Sequence, residues 1–140
     1  MSGNIFLDTN VVVYLYSGDE PAKRDAALAL INAGTTIVST QVLNELANTL
    51  TRKFALPSET VALAITEIQD ACVVVPVMPD TIIRALALAK KYRYTYYDSL
   101  ILASALSADC DTLATEDMQN GQIIEGVLTI HCPFLAQQKL

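Results

Sequence analysis

At 140 residues the chain has room for one domain of ordinary size and none for a second. Its content of 52% hydrophobic and 17% charged residues is apolar for so small a protein, so part of the apolar surface is expected to be hidden in an oligomer or under a partner. A net charge of −6 and a pI near 4.5 argue against a broad basic nucleic-acid surface, and leave two explanations for the acidity: carboxylates that bind metal, or plain solubility.

In chain order, Asn4 to Asp8 reads as a short buried strand, and Val11 to Tyr16 as an apolar run whose periodicity does not separate strand from helix. Pro21 suits a first helical turn, Leu28 and Ile31 give apolar spacing, and Gly34 suits the position after that helix. Thr36 to Ser39 is β-rich. From Thr40 a stripe of Leu43, Leu46, Leu50 and Phe54 predicts a helix that ends before Pro57, with Arg52 and Lys53 at the end where the helix dipole favours cations. Ser58 is expected to cap the next helix, which runs to about Ala71. Cys72 to Val77 is β-branched and broken by Pro76, which predicts an edge strand or a strand end.

A helix is expected from about Asp80 to Lys91. Asp98 to Ala108 is apolar nearly all round and predicts a buried helix. Thr112 to Thr115 and Val127 to His131 read as two further strands. Strands alternating with helices predict an α/β fold, with parallel pairing through right-handed crossovers and helices on both sheet faces. The longest apolar run, Ala71 to Met78, is far short of a membrane span, and Met1-Ser2-Gly3-Asn4 has no basic n-region, so a cytoplasmic location is expected. Cys72, Cys110 and Cys132 are odd in number and widely spaced, as buried reduced thiols rather than disulfide partners or zinc ligands.

Sites in open parallel sheets gather at the carboxyl ends of the strands. Asp8 ends the first strand, Asp98 opens the buried helix, Glu116 and Asp117 follow Thr112 to Thr115, and Glu45 lies about a turn into the helix after the second strand. Carboxylates meeting at one rim repel one another unless cations sit among their oxygens, and hard ions such as Mg²⁺ or Mn²⁺ suit such ligands. The matching chemistry is phosphodiester hydrolysis. Each acid also has an ordinary local role available: Asp98 as a helix cap, Asp8 in an Asx turn, Glu45 facing solvent, Asp117 in a polar turn with Gln119, Asn120 and Gly121. It is the joint placement that points to metal.

Four segments carry a family resemblance. Ile5-Phe6-Leu7-Asp8-Thr9-Asn10-Val11 resembles the opening motif of PIN domains, and Ser39 to Leu46 the second motif, with its acid at Glu45. Tyr97-Asp98-Ser99-Leu100 through Ala105 is similar to the third, and Leu113-Ala114-Thr115-Glu116-Asp117-Met118 to the fourth. The resemblance implies an α/β/α sandwich with a central parallel sheet over residues 1–140, and makes Val11 to Tyr16 a short helix. It implies Asp8, Glu45, Asp98 and Asp117 as the acids of an Mg²⁺ or Mn²⁺ site, family spacing favouring Asp117 over Glu116. It further implies a VapC-like endoribonuclease, the toxin of a toxin-antitoxin pair, with RNA as substrate, an antitoxin as partner and a homodimeric state.

Lys90-Lys91-Tyr92-Arg93-Tyr94 with Tyr96-Tyr97 combines cations and rings as a single-stranded RNA grip does, and serves equally well as a helix end followed by core tyrosines. Thr9, Asn10, Ser39 and Thr115 could orient waters or phosphate beside the acids, or act as caps and turn residues. His131 is the lone histidine, which removes a histidine-paired ribonuclease mechanism, and no GxxxxGK[ST] phosphate loop occurs. Two other functions compete: an aspartate-nucleophile phosphatase, whose family wants a second aspartate where Asn10 stands, and a non-catalytic RNA-binding or interaction domain.

Overall fold

The computed structural model describes residues 3–135, so the Met1-Ser2 start and the last five positions lie outside the described residues. The expectation of a single domain over the whole chain extends to those positions. Six strands form one sheet in the order β3-β2-β1-β4-β6-β5, with β1 Asn4–Leu7, β2 Thr35–Ser39, β3 Val73–Val75, β4 Thr112–Ala114, β5 Ile123–Ile124 and β6 Leu128–His131. All pairs are parallel except β5 with β6. The helices are α1 Thr9–Val13, α2 Pro21–Ala33, α3 Thr40–Arg52, α4 Ser58–Ala71, α5 Pro79–Tyr92 and α6 Tyr96–Ser107, with a 3₁₀ turn at Tyr14–Tyr16 after α1.

The chain runs outward from β1 to β2 to β3 and then crosses back to β4. Right-handed crossovers therefore put α1 to α4 on one sheet face and α5 with α6 on the other. The packing of α1 on α3, α3 on α4 and α5 on α6 agrees with that division. The core is continuous through the sheet: Phe6, Leu7, Val38, Leu46, Leu50, Leu102, Leu113 and Ile130 are all essentially inaccessible. Helix α6 is buried on every side from Ser99 to Leu106, as its apolar sequence predicts, because it lies between the sheet and α5.

Several local expectations are corrected. The buried stripe of α3 is Val42, Leu46 and Leu50, with Leu43 only partly covered and Phe54 beyond the helix end. Ser58 is the first residue of α4 rather than its cap; Pro57 stands at the cap with no side-chain hydrogen bond. Helix α6 begins at Tyr96, two residues before Asp98, because the Thr95 hydroxyl accepts the Asp98 N–H at 3.2 Å. Gly34 follows α2 in extended backbone, φ −176°, so its value is space: a Cβ there would meet the Gly3 carbonyl oxygen at 3.0 Å. The strand β5 is not predicted by the sequence reading. It forms through a three-residue connection in which Glu125 (φ 53°) and Gly126 (φ 70°) both take the left-handed conformation, and the Val127 N–H closes the turn on the Ile124 carbonyl at 3.0 Å.

Pro76 does end β3, which is an edge strand. The three cysteines are free and buried, and burial pushes the Cys110 thiol up to about 12. Among the described residues no helix is long and apolar enough to cross a membrane. The apolar excess is visible at the surface instead. Met78, Ile82, Ile83 and Leu86 form an exposed row on α5, and Leu15, Tyr16, Leu28, Ile31 and Ile68 line an open groove between the 3₁₀ turn, α2 and α4.

Candidate active site at the carboxyl edge of the sheet

Strand order reverses between β1 and β4, since β2 lies to one side of β1 and the crossover from β3 brings β4 to the other. Parallel sheets leave a crevice at such a point, outside the carboxyl ends of the strands. Asp8 follows β1 and Thr115, Glu116 and Asp117 follow β4, so the two sequence segments flank that crevice. The Asp8 N–H donates to the Ala114 carbonyl at 3.0 Å, which continues the β1–β4 pairing up to the site.

Asp8 is also the cap of α1. One carboxylate oxygen accepts the Thr9 N–H at 2.7 Å, and the Asp8 carbonyl accepts from the Val11 and Val12 N–H groups, which is why the undecided run after it is helical. Its other carboxylate oxygen accepts from the Thr115 hydroxyl at 2.9 Å and the Asn10 amide at 3.3 Å. Only 5% of Asp8 is exposed, and this burial, strengthened by the charges of Asp98 and Glu45 and opposed by the hydrogen bonds from Thr115 and Thr9, raises its pKa to about 7.

Asn10 joins the two strand ends. Its amide nitrogen reaches Asp8, the Thr115 hydroxyl at 3.1 Å and the Asp117 carboxylate at 2.9 Å, while its amide oxygen accepts the Glu116 N–H at 3.2 Å. Glu45 is half-buried on α3 and accepts the Thr9 hydroxyl at 2.6 Å and the Gln41 amide at 3.3 Å. It therefore does not simply face solvent. Gln41 also donates to the Tyr97 carbonyl at 3.2 Å, which ties α3 to the start of α6, and its own amide oxygen is buried without a partner among the described residues. Asp98 stands in the first turn of α6 with its N–H capped by Thr95; burial, opposed by a hydrogen bond from the Thr95 side chain and reinforced by the charges of Asp117 and Glu45, raises its pKa.

Asp8, Glu45, Asp98 and Asp117 thus lie within electrostatic reach of one another. No three of the His, Cys, Asp and Glu residues among the described residues are gathered tightly enough to enclose an ion. Thr9, Asn10 and Thr115 connect the acids directly, whereas Ser39 caps α3 through the Val42 N–H at 3.4 Å. Glu116 turns the other way, to Tyr14 and Lys23. The basic and aromatic segment before Asp98 is divided in use. Lys91 and Tyr92 bind Glu125, and Tyr94 bonds to Gln122 and to the Gln119 N–H, while Tyr97 is 65% exposed beside the site. Gln41, Tyr14 and Lys23 are the participants that sequence reading missed. Tyr14 and Lys23 lie outside the four motifs and reach Glu116 across 102 and 93 positions; Gln41 lies within the second motif, four residues before Glu45.

Among solved structures, the fold is similar to a chain of a toxin-antitoxin complex from Klebsiella pneumoniae, with a TM-score of 0.70 at 21% identity over 92% of this chain and 97% of that one. It is also similar to VapC20 of Mycobacterium tuberculosis, described as a sarcin-ricin loop cleaving toxin, with a TM-score of 0.63 at 21% identity over 78% and 86%. A third is VapBC2 from Rickettsia felis bound to a promoter DNA fragment, with a TM-score of 0.66 at 17% identity over 91% and 98%. At such identities these likenesses speak to fold. No curated protein matches the chain in sequence. The PIN domain sequence profile, however, matches residues 5–120, a span that takes in most of the chain and every acid at the crevice, and the chain accordingly belongs to the PIN-domain family.

Proposed function

We propose that the chain is a divalent-cation-dependent endoribonuclease of the VapC-like group, acting in the cytoplasm as the toxin of a toxin-antitoxin pair. The observation that carries this reading is the buried Asp8 carboxylate, held by three donors at the strand-order reversal and raised in pKa by its burial and, to a smaller extent, by the acids around it. Such a group costs stability when ionised alone, and a cation is what would make its ionised form favourable. The donor set is all oxygen, which fits Mg²⁺ or Mn²⁺, ions that keep several waters and need only one or two direct carboxylates. The unpartnered Gln41 oxygen supplies an acceptor for such a water.

Asp8, Glu45, Asp98 and Asp117 would hold the ion. When bound, it would supply hydroxide near neutral pH and neutralise charge on the leaving oxygen of a phosphodiester. The chain's own part is preorganisation: Thr9 holds Glu45, Asn10 holds Asp8 and Asp117 at a fixed separation, and Thr95 caps the helix turn that carries Asp98. The phosphatase alternative would use Asp8 as a nucleophile. Asn10, which bonds Asp8 and Asp117, stands where that chemistry wants a second aspartate.

Purified protein, free of any inhibitor, incubated with structured and unstructured RNAs should cleave in Mg²⁺ or Mn²⁺ and not in EDTA, with Asp98→Asn as the control for contaminating nuclease. Cleavage undiminished in chelator sinks the mechanism. Phosphate release from a small phosphomonoester without RNA cleavage supports the phosphatase, and RNA binding without cleavage the non-catalytic domain.

An antitoxin partner belongs to the same reading, since the similar structures include toxin-antitoxin complexes. The groove of Leu15, Tyr16, Leu28, Ile31 and Ile68, with Arg24 and Glu67 also lining it, suits an amphipathic segment of that partner. The exposed α5 row suits a second copy of this chain. Light scattering after size exclusion should give a dimer. A monodisperse monomer at about tens of micromolar would assign the α5 row to a different partner.

A further inference from the structure

Asp117 is exposed on the irregular segment between β4 and β5, so neither burial nor regular backbone fixes its carboxylate. From the crevice side it is tied by Asn10 and by the Thr115 hydroxyl, which accepts the Asp117 N–H at 3.2 Å. A second set of ties acts on the residue before it, from the opposite side. One Glu116 oxygen accepts the Tyr14 hydroxyl at 2.7 Å, and the other accepts the Lys23 ammonium at 3.3 Å. Lys23 also donates to the Tyr14 hydroxyl at 3.2 Å, which closes the three groups into a ring of hydrogen bonds.

The ring is anchored in separate parts of the chain. Lys23 lies 4.9 Å over the Tyr14 ring and 5.6 Å over the Phe134 ring, and those two rings meet edge to face at 5.0 Å. The side chains of Lys23 and Glu116 are only 21% and 19% exposed. A pair so covered, with each oxygen of the carboxylate assigned a separate donor, has a defined geometry that an open surface pair lacks. The turn carrying Asp117 is thus clamped between Asn10 on the inside and the 3₁₀ turn, α2 and the segment after β6 on the outside.

We infer that Glu116 is a positioning residue: held by Tyr14 and Lys23, it fixes the turn that carries Asp117 and so sets the affinity of the acidic site for its cation. This rests on the metal-dependent reading above. It also gives the Glu116-Asp117 pair two different tasks, one acid facing the ion and its neighbour facing the scaffold.

The test uses the full chain with Glu116→Gln and Lys23→Met, which break the ion pair from either side. Each variant should bind Mn²⁺ about tenfold more weakly by calorimetry and shift the Mn²⁺ half-saturation for RNA cleavage equally. Cleavage at saturating Mn²⁺ should stay within about twofold of wild type, because the ligands themselves are intact. In chelator, amide exchange at Glu116 and Asp117 should accelerate, and the double variant should be no worse than either single one. Unchanged Mn²⁺ affinity and exchange, with only a lower melting point, would make the ring a structural strut and overturn the assignment. Cleavage lost beyond recovery by excess Mn²⁺ would make Glu116 a direct ligand and overturn it too. A wild-type chain that neither binds Mn²⁺ nor cleaves RNA brings down the metal reading and this assignment together, whereas the two preceding outcomes bring down this assignment alone.

Discussion

Asp8 and Asp117 face the same crevice and are held by opposite means. Asp8 is shut in at a strand end, capped into a helix and bonded to three donors, so it has one position and pays for it in desolvation. Asp117 stands in the open on a turn and is placed by hydrogen bonds from Asn10 and to Thr115 and by the contacts of its neighbour Glu116. On the metal-dependent reading proposed above, the inner acid would govern what the empty site costs the fold, and the outer acid how readily an ion is gained or released. An acidic site need not be uniformly rigid to be preorganised; one fixed wall and one clamped wall suffice.

The largest effect that would test this contrast is on cleavage. At saturating Mn²⁺, Asp8→Asn should lower the rate by about a thousandfold, comparable to removing a central electrostatic element of a site, while Asp117→Asn should lower it by only about tenfold. Equal losses in steady-state RNA cleavage would erase the distinction between the two walls.

The next effect concerns pH. Asp8 has a folded-state pKa of about 7 against an ordinary 3.8, so the folded chain holds a proton that the unfolded chain has lost across that interval. The stability linked to this proton is fully present below pH 3.8 and is lost as pH rises through about 7. In EDTA, urea unfolding should therefore show wild type losing on the order of 3 kcal/mol relative to Asp8→Asn between pH 4 and 7.5. Parallel profiles for the two proteins would mean that Asp8 ionises freely and the inner wall is not strained.

A slightly smaller effect follows for heat. In EDTA near neutral pH, Asp8→Asn should melt at or above the wild-type temperature, and Mn²⁺ at a hundred times its dissociation constant should then stabilise wild type by about 2.7 kcal/mol, a shift of several degrees. The variant should respond much less. Identical Mn²⁺ responses in differential scanning calorimetry would remove Asp8 from the ligand set and leave it a turn residue.

The alternation of strands and helices was legible because β2 and β3 are rich in β-branched residues, α3 carries a buried stripe and α6 is apolar all round. Val11 to Tyr16 carries no period of its own, and the short helix that the resemblance implies there is started by the Asp8 cap. What escaped was decided across the fold. Strand β5 is two residues long, and its turn places glutamate at Glu125 where asparagine or aspartate would have announced a hairpin. Asp8, Glu45, Asp98 and Asp117 could be picked out as acids at strand ends and helix starts. Of the residues that hold them, Thr9, Asn10 and Thr115 could be noticed beside the acids, whereas the ties of Gln41 to the Tyr97 carbonyl and of Lys23 to Glu116 span 56 and 93 positions and leave no local pattern.

The three buried thiols carry a practical consequence. Cys72 precedes β3 at one sheet edge, Cys110 lies between α6 and β4 at the centre, and Cys132 follows β6 next to the segment that covers Tyr14. All three are buried, Cys110 most completely, so a maleimide should label them slowly in the closed protein, and the Cys110 thiol, pushed up to about 12 by burial, should stay protonated in mild alkali. Each cysteine is therefore a built-in clock for the opening of its own region, and the order in which the three become labelled would trace how the sheet comes apart.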